Sequence, residues 1–328
     1  MGSRTVCFEQ SLGILGEPMF GDRLERLAFN ALPGAFTTDM WAHQYNQQPN
    51  QVECSLHVKP WTTDGPESNL FGLEPNFGCC TANFSQGLPK FTASLFMLSQ
   101  DDGLAAVAYA PCEVGTTVRD TFVHLIENTD YPFRGAVHMI IHPASPLAFP
   151  MFLRIPGWAK GTTIQVNGQP QPIPIPGTFA RIERTWNRGD RLDIEFPLEP
   201  RVSRWFHDSV AVERGALWLK LRDRGMTADW QVYPTTQWNY ALGLSDEISS
   251  EAISVTEGEV GNNPFDAKSA PVRLHVKGRK LVNWRAVDGV ADPVPESPVI
   301  SDQPEEKITL VPYAAAKLRI TAFPQLKA

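Results

Sequence analysis

The residues best placed to do chemistry are two adjacent thiols, Cys79-Cys80, set between Gly78 and the segment that starts at Thr81. A helix beginning here aims free N–H groups and the positive end of its dipole at the sulfurs, which favours the thiolate. A thiolate serves as a nucleophile or as a metal ligand. Two adjacent thiols do not close a zinc site, because zinc takes four ligands drawn from Cys, His and carboxylate. The plain alternative is a pair of buried cysteines packing as small hydrophobes. The glycine before the pair, the helix start after it and the amide-rich loop upstream favour a functional role.

That loop supplies the second constellation. It runs His43-Gln44-Tyr45-Asn46-Gln47-Gln48-Pro49-Asn50-Gln51, with Trp41 before it and Trp61 after it. Amides beside aromatics suit a sugar, which stacks its apolar face on a ring and hydrogen-bonds through its hydroxyls. His43, Gln47 and Trp61 are therefore the candidate substrate contacts. The competing reading is a loop whose side chains satisfy its own backbone. Glu53, Glu67 and Glu74 could do acid/base work, although a glutamate is more often simply solvated. His124, His138, His142, His207 and His275 show no ligand spacing and read as structural.

The elements that position these residues follow from periodicity. Phe8–Leu15 reads as the end of a helix that starts almost at residue 1, and Asp22–Leu32 as a second helix. The latter carries Leu24, Leu27, Ala28 and Ala31 on one stripe and stops at Pro33-Gly34. A third helix is expected over Thr81–Leu98. Phe84, Leu88, Phe91, Leu95 and Leu98 form its apolar face, and Pro89 should kink it. After Asp101-Asp102-Gly103 the period turns to alternation. Strands are expected at Leu104–Ala110, Val137–Ile141, Phe152–Ile155, Thr163–Val166, Phe179–Ile182, Arg191–Phe196, Val210–Val212 and Ala216–Leu221. Asn167-Gly168, Pro176-Gly177 and Asn187-Arg188-Gly189-Asp190 are the turns between them. Further strands are expected near Val272–Val276, Lys307–Val311 and Leu318–Thr321. The expected class is α+β and multidomain: helices over residues 1–102, an antiparallel β-sandwich over 103–221, and a β-rich domain over 222–328.

Composition sets the outer bounds. The chain has 328 residues, 42% of them hydrophobic, and a formal net charge of −7. A core is affordable, and the acidic balance with no basic run argues against nucleic acid. No stretch approaches the ~18 uninterrupted apolar residues of a membrane helix, and residues 1–6 show neither a signal-peptide core nor a myristoylation pattern. Proline, at 28 residues, exceeds its ordinary share of about 5% and suits a strand- and loop-rich protein. Five cysteines in such a length are not a disulfide framework.

Several segments together resemble glycoside hydrolase family 127, the β-L-arabinofuranosidases and their relatives. They are Gly21 to Pro33, His43 to Gln51, Gly78-Cys79-Cys80-Thr81-Ala82-Asn83, Leu153-Arg154-Ile155-Pro156-Gly157-Trp158, Val166-Asn167-Gly168, Trp238-Asn239-Tyr240-Ala241-Leu242, and Leu310-Val311-Pro312-Tyr313 with Leu318-Arg319-Ile320. The resemblance implies the last helices of an (α/α)6 barrel followed by β-sandwich domains. It implies a retaining enzyme with a cysteine nucleophile, a glutamic acid as proton donor, and zinc held by one Glu and three Cys. By motif position Cys79 is the implied nucleophile and zinc ligand, and Cys80 a zinc ligand; the implied substrate is an L-arabinofuranoside or related plant glycan. The family's remaining zinc ligands and its acid lie upstream of the helix that ends at Gly16-Glu17-Pro18. Cys7 falls inside that helix, and Thr5 stands where a Glu-x-Cys pattern needs its glutamate. The chain therefore looks like the C-terminal part of such an enzyme, with zinc bound only if the missing ligands are supplied. Two other readings stay open: a non-catalytic β-sandwich that binds carbohydrate or a partner, and a metal- or redox-active thiol protein built on Cys79-Cys80.

Overall fold

The computed structural model describes residues 2–73, 78–222, 226–245, 252–318 and 320–327. The chain divides into two compact units that do not follow chain order. One comprises Met1–Ala28 with Phe84–Glu199, the other Phe29–Asn83 with Pro200–Ala328. Among the described residues no helix is long and apolar enough to cross a membrane.

The first unit opens with the helices Gly2–Leu15 and Pro18–Arg26. The second begins at Pro18, four residues earlier than expected, because a proline at the first helical position surrenders an N–H that has no partner there anyway. The helical run continues as a π-type turn over Leu27–Ala31 and one further turn, Leu32–Gly34. Leu24, Ala28 and Leu32 are buried, whereas Ile14 and Leu15 at the end of the first helix stay exposed.

The expected kinked helix over Thr81–Leu98 is instead two short helices, Gly78–Phe84 and Gly87–Ala93, followed by a strand, Phe96–Leu98. Pro89 falls in the first turn of the second helix, where it is tolerated, so the chain breaks and restarts rather than bending. Phe84, Phe91 and Leu95 are buried, but Leu88 and Leu98 are exposed. The break is what takes Leu88 and Leu98 off the expected face.

Two sheets follow in the same unit. One has six antiparallel strands in the order Gln169–Pro170, Thr163–Val166, Asp190–Glu195, Ala136–Pro143, Thr121–Thr129 and Cys112–Val118. The other has four, in the order Thr178–Trp186, Leu147–Ile155, Leu104–Ala106 and Phe96–Leu98, with one parallel pairing. Alternate residues point inward, as the period of two requires. Val123, Leu125, Val137, Met139, Ile141, Leu192 and Ile194 are buried from the first sheet, and Phe149, Met151, Leu153, Ile155 and Trp186 from the second.

One cluster ties the opening helices to this unit. Arg154 and Glu25 are fully buried and form an ion pair at 2.5 Å. Arg154 also pairs with Asp22, which accepts from the Gly157 N–H at 2.9 Å. Glu25 accepts from the Tyr131 hydroxyl at 2.7 Å and from the Tyr109 N–H at 3.1 Å. A Cβ at Gly21 would collide with the Arg154 side chain, so glycine is needed for the approach. Burial raises the Glu25 pKa against the pull of Arg154.

Glu127 lies in the same interior, and its neighbour Glu25 adds to the upward push. It is 1% exposed; one carboxyl oxygen accepts from the Ala110 N–H at 3.0 Å, and the other has no partner among the described residues. Burial pushes its pKa well above 4.5. The unfolded chain thus ionises first as pH rises, while the folded chain stays protonated, so stability present below about 4.5 is lost as pH climbs towards the raised value. Urea midpoints of the native chain are expected to fall between pH 5 and pH 9, and Glu127→Gln to flatten that slope. Equal slopes in the two proteins would refute the assignment.

The second unit is organised on a seven-stranded sheet. Its order is Pro200–Arg204, Val210–Arg214, Leu217–Leu221, Glu305–Pro312, Val272–Lys280 and Tyr240–Leu242, with Ile253–Glu257 also paired to Val272–Lys280. Leu217–Leu221 hydrogen-bonds directly to Glu305–Pro312, so this sheet joins strands on both sides of residue 221. Leu318–Thr321 does not form the expected strand at its described positions 318, 320 and 321; there Ile320 offers its carbonyl to the Leu221 N–H at 3.1 Å.

Candidate functional site

All the candidate residues fall in the second unit. The chain leaves the helical run at Gly34. The Thr37 hydroxyl donates to Asp39 at 2.5 Å, and Asp39 accepts from the Trp41 N–H at 3.1 Å. This small turn delivers His43-Gln44 as a two-residue strand, antiparallel to Phe71-Gly72. The long loop between them therefore closes on itself, and Gly72 stands seven positions before Cys79 in sequence.

His43 is buried, with Nδ1 3.2 Å from the Gly72 carbonyl. A carbonyl only accepts, so this contact places the imidazole proton on Nδ1. Gln47 donates to the Ala31 carbonyl at 2.9 Å and accepts from the Tyr313 hydroxyl at 3.3 Å. Trp61 is half-buried, and its Nε1 has no partner among the described residues.

The neighbouring amides turn inward. Gln44 donates to the Asn69 carbonyl at 2.6 Å, Gln51 to the Lys317 carbonyl at 3.0 Å, and Asn50 to the Ala322 carbonyl at 3.0 Å. Asn50 also accepts from the Thr321 and Ala322 N–H groups at 3.0 and 3.1 Å. These bonds follow the backbone-satisfying alternative for the loop. Those of Asn50 and Gln51 pin the amide-rich segment to the C-terminal stretch more than 260 residues away.

At the centre of this cluster sits Cys54, fully buried with Phe71, Val232 and Leu318. Gln44 and Gln51 both direct Nε2 at its sulfur, at 3.2 and 3.0 Å. The sequence assigns Cys54 no role of its own, and its amide partners become visible only in the fold. Lys59 was missed. It is 2% exposed, 3.2 Å from the Ser55 hydroxyl, and burial lowers its pKa despite the nearby Glu53.

Cys79 is exposed in the first turn of the helix Gly78–Phe84. Its carbonyl accepts from Asn83 Nδ2 at 2.6 Å. The side chain of Cys80, and Glu74 altogether, lie outside the described residues. Among the described residues no three His, Cys, Asp or Glu side chains group as a metal site. Cysteine is a donor type that zinc takes, but Cys79 and Cys80 alone do not complete its four-ligand shell.

The thiols should sort by environment. Burial pushes Cys112 up to about 12, and Cys54 has no exposed surface to speak of. Cys7 and Cys79 are exposed. Brief iodoacetamide treatment of the native chain at pH 8 is expected to alkylate Cys7 and Cys79 and to spare Cys54 and Cys112. Alkylation of Cys54 or Cys112 as fast as Cys79 would contradict this arrangement.

Residues 103–198 match the family model described as Beta-L-arabinofuranosidase, GH127 middle domain. The resemblance seen in the motifs is borne out over this segment. Nothing among the curated proteins matches the chain. Among solved structures, a protein described as a glycoside hydrolase superposes with a TM-score of 0.75 at 22% identity, over 99% of this chain and 51% of that one. A GH127 β-L-arabinofuranosidase from Geobacillus stearothermophilus T6 gives 0.70 at 19% identity, over 98% and 48%. A further GH127 β-arabinofuranosidase gives 0.69 at 20%, over 98% and 48%. At these identities the likeness is one of fold, and the chain spans about half the length of the structures it matches.

Proposed function

We propose that this chain, which carries a GH127 middle domain at residues 103–198, is the C-terminal part of a retaining glycoside hydrolase. Its substrate class is the β-L-arabinofuranoside or a related plant glycan. The observation that carries the reading is Cys79, exposed in the first turn of a helix, in a chain whose fold follows GH127 enzymes over almost its whole length. In this reading Gly2–Leu15 and Pro18–Arg26 are the last helices of an (α/α)6 barrel, and the β units follow it.

The Cys79 thiolate attacks the anomeric carbon as the bond to the leaving oxygen breaks, and a carboxylic acid gives that oxygen its proton. Water then attacks the same carbon, the carboxylate takes a proton from it, and the sulfur departs as thiolate. Two inversions give net retention. His43, Gln47 and Trp61 line the sugar's approach in this account. Cys79 and Cys80 are the two zinc ligands from this chain, and bound zinc would hold a thiolate ionised at neutral pH. The acid and the other ligands come from outside the described residues.

The test is hydrolysis of p-nitrophenyl β-L-arabinofuranoside by the full product of the gene, followed by NMR of the released sugar, with zinc measured by elemental analysis. The reading requires the β-anomer as first product and about one zinc per chain. An α-anomer as first product, or turnover in metal-free protein equal to that of the loaded protein, would sink it.

A further inference from the structure

The second unit carries a surface that the proposed chemistry does not use. The strands Pro200–Arg204 and Val210–Arg214 form a hairpin whose connection, Trp205 to Ser209, holds two exposed aromatics. Trp205 is 44% exposed and Phe206 is 67% exposed. Large rings on a loop tip normally cost solubility without return, so their placement calls for a partner.

These rings are held in place. Trp205 donates from Nε1 to the Ser203 hydroxyl at 2.8 Å and meets Trp218 edge-on, with centroids 5.0 Å apart. Phe206 stacks on His207 at 3.8 Å. His207 and Asp208 both take positive φ, at 57° and 53°, a strained pair for residues with side chains. His207 Nδ1 lies 2.7 Å from the Val294 carbonyl and the Ser297 N–H donates to the His207 carbonyl at 2.9 Å, while Arg204 donates to the Asp208 carbonyl at 3.0 Å and to its carboxylate at 3.2 Å.

The segment that anchors the tip also borders a groove of about 640 Å³, between Lys280–Trp284 and Pro295–Asp302. That volume falls within the ~300–1,000 Å³ range of small-molecule sites. Trp284 forms its floor, and the exposed side chains of Val282 and Ile300 form apolar walls. Asn283 is exposed and makes no hydrogen bond among the described residues. Asp302 accepts from Gln303 Nε2 at 2.9 Å through one carboxylate oxygen, and Lys280 is paired with Glu306 at 3.2 Å.

We infer that the aromatic tip and the adjoining groove form a binding site for a neutral polysaccharide. Fixed rings beside apolar walls suit the C–H face of a sugar, and the unengaged Asn283 amide with the second oxygen of Asp302 suits its hydroxyls. The groove's one amine is balanced by a carboxylate, so nothing selects a polyanion or an anionic lipid surface. The choice of plant arabinan as ligand rests on the reading of the chain as part of a glycoside hydrolase. The groove and the tip themselves do not.

The experiment is native electrophoresis of the 328-residue chain through gels cast with soluble arabinan, arabinoxylan or no polysaccharide. Retardation by a polysaccharide is expected, with association weakened at least ~10-fold in Trp205→Ala/Phe206→Ala and measurably in the milder Asn283→Ala. Near-UV circular dichroism confirms that each variant is folded. No retardation of the native chain, retardation unchanged in both variants, or retardation matched by concentration-dependent self-association in polysaccharide-free gels would each overturn the site. Cys79→Ser should migrate like the native chain. Loss of its retardation would place binding at Cys79 and overturn the groove assignment, whereas retardation of the native chain together with no hydrolysis of p-nitrophenyl β-L-arabinofuranoside by the full gene product would leave the groove standing and remove the catalytic reading.

Discussion

Arg154→Met is expected to destabilise the unit formed by Met1–Ala28 and Phe84–Glu199 by about 3–5 kcal/mol, the usual cost of stranding a buried charge. Glu25 is wholly buried and depends on Arg154 as its cation. Without the guanidinium it must either take up a proton or remain ionised in the interior, and both are costly. The Val107 carbonyl and Asp22 lose a donor in the same step. Methionine fills most of the volume, so the loss reports charge rather than a cavity. The double variant Arg154→Met/Glu25→Gln should recover part of the deficit, because the fully buried charge is gone and only the part-exposed Asp22 is left without its cation. Urea denaturation followed by tryptophan fluorescence measures both. A loss under ~1 kcal/mol in the single variant would mean that the cluster is relaxed or hydrated rather than a closed buried pair.

Cys79→Ser is expected to remove catalysis in the full gene product, by at least ~10³-fold in kcat/KM, or about 4 kcal/mol of transition-state stabilisation. A serine hydroxyl keeps the size of the side chain but is a far weaker nucleophile without a base to activate it. Cys7→Ser serves as the control, since Cys7 is an exposed residue of the first helix and should leave the rate unchanged. Activity in Cys79→Ser within ~10-fold of the native enzyme would assign the nucleophile elsewhere.

Much of the β architecture was legible because its turns carry the usual residues. Asn167 and Gly168 take φ of 50° and 76°, the left-handed pair that a tight hairpin needs, and the strand Thr163–Val166 begins and ends where alternation placed it. The hairpin of Cys112–Val118 and Thr121–Thr129 was not foreseen. Its turn is Arg119-Asp120, both at positive φ, and no Gly or Asn announces it. The helix over Thr81–Leu98 misled because Pro89 is compatible with a first turn as well as with a kink.

The candidate site was legible as a set of residue types but not as a set of bonds. Adjacent thiols at a helix start can be read from a sequence; the inward turn of Gln44, Asn50 and Gln51 cannot. The partners of Asn50 and Gln51, Ala322 and Lys317, lie at the far end of the chain, and that of Gln44 is the backbone of Asn69. The Asp22–Arg154 pair likewise joins two recognisable motifs 132 residues apart, and neither motif alone shows that it exists to meet the other.

A cysteine nucleophile at position 79 must become covalently attached to the sugar during turnover. The most direct test is to acid-quench the full gene product during turnover of an aryl β-L-arabinofuranoside, digest it, and map the peptides by mass spectrometry. The account predicts one anhydropentose on the peptide containing Cys79-Cys80, located on Cys79 by fragmentation and absent in Cys79→Ser. A pentose adduct on any other residue, or rapid turnover with no adduct on Cys79 at any quench time, would contradict it.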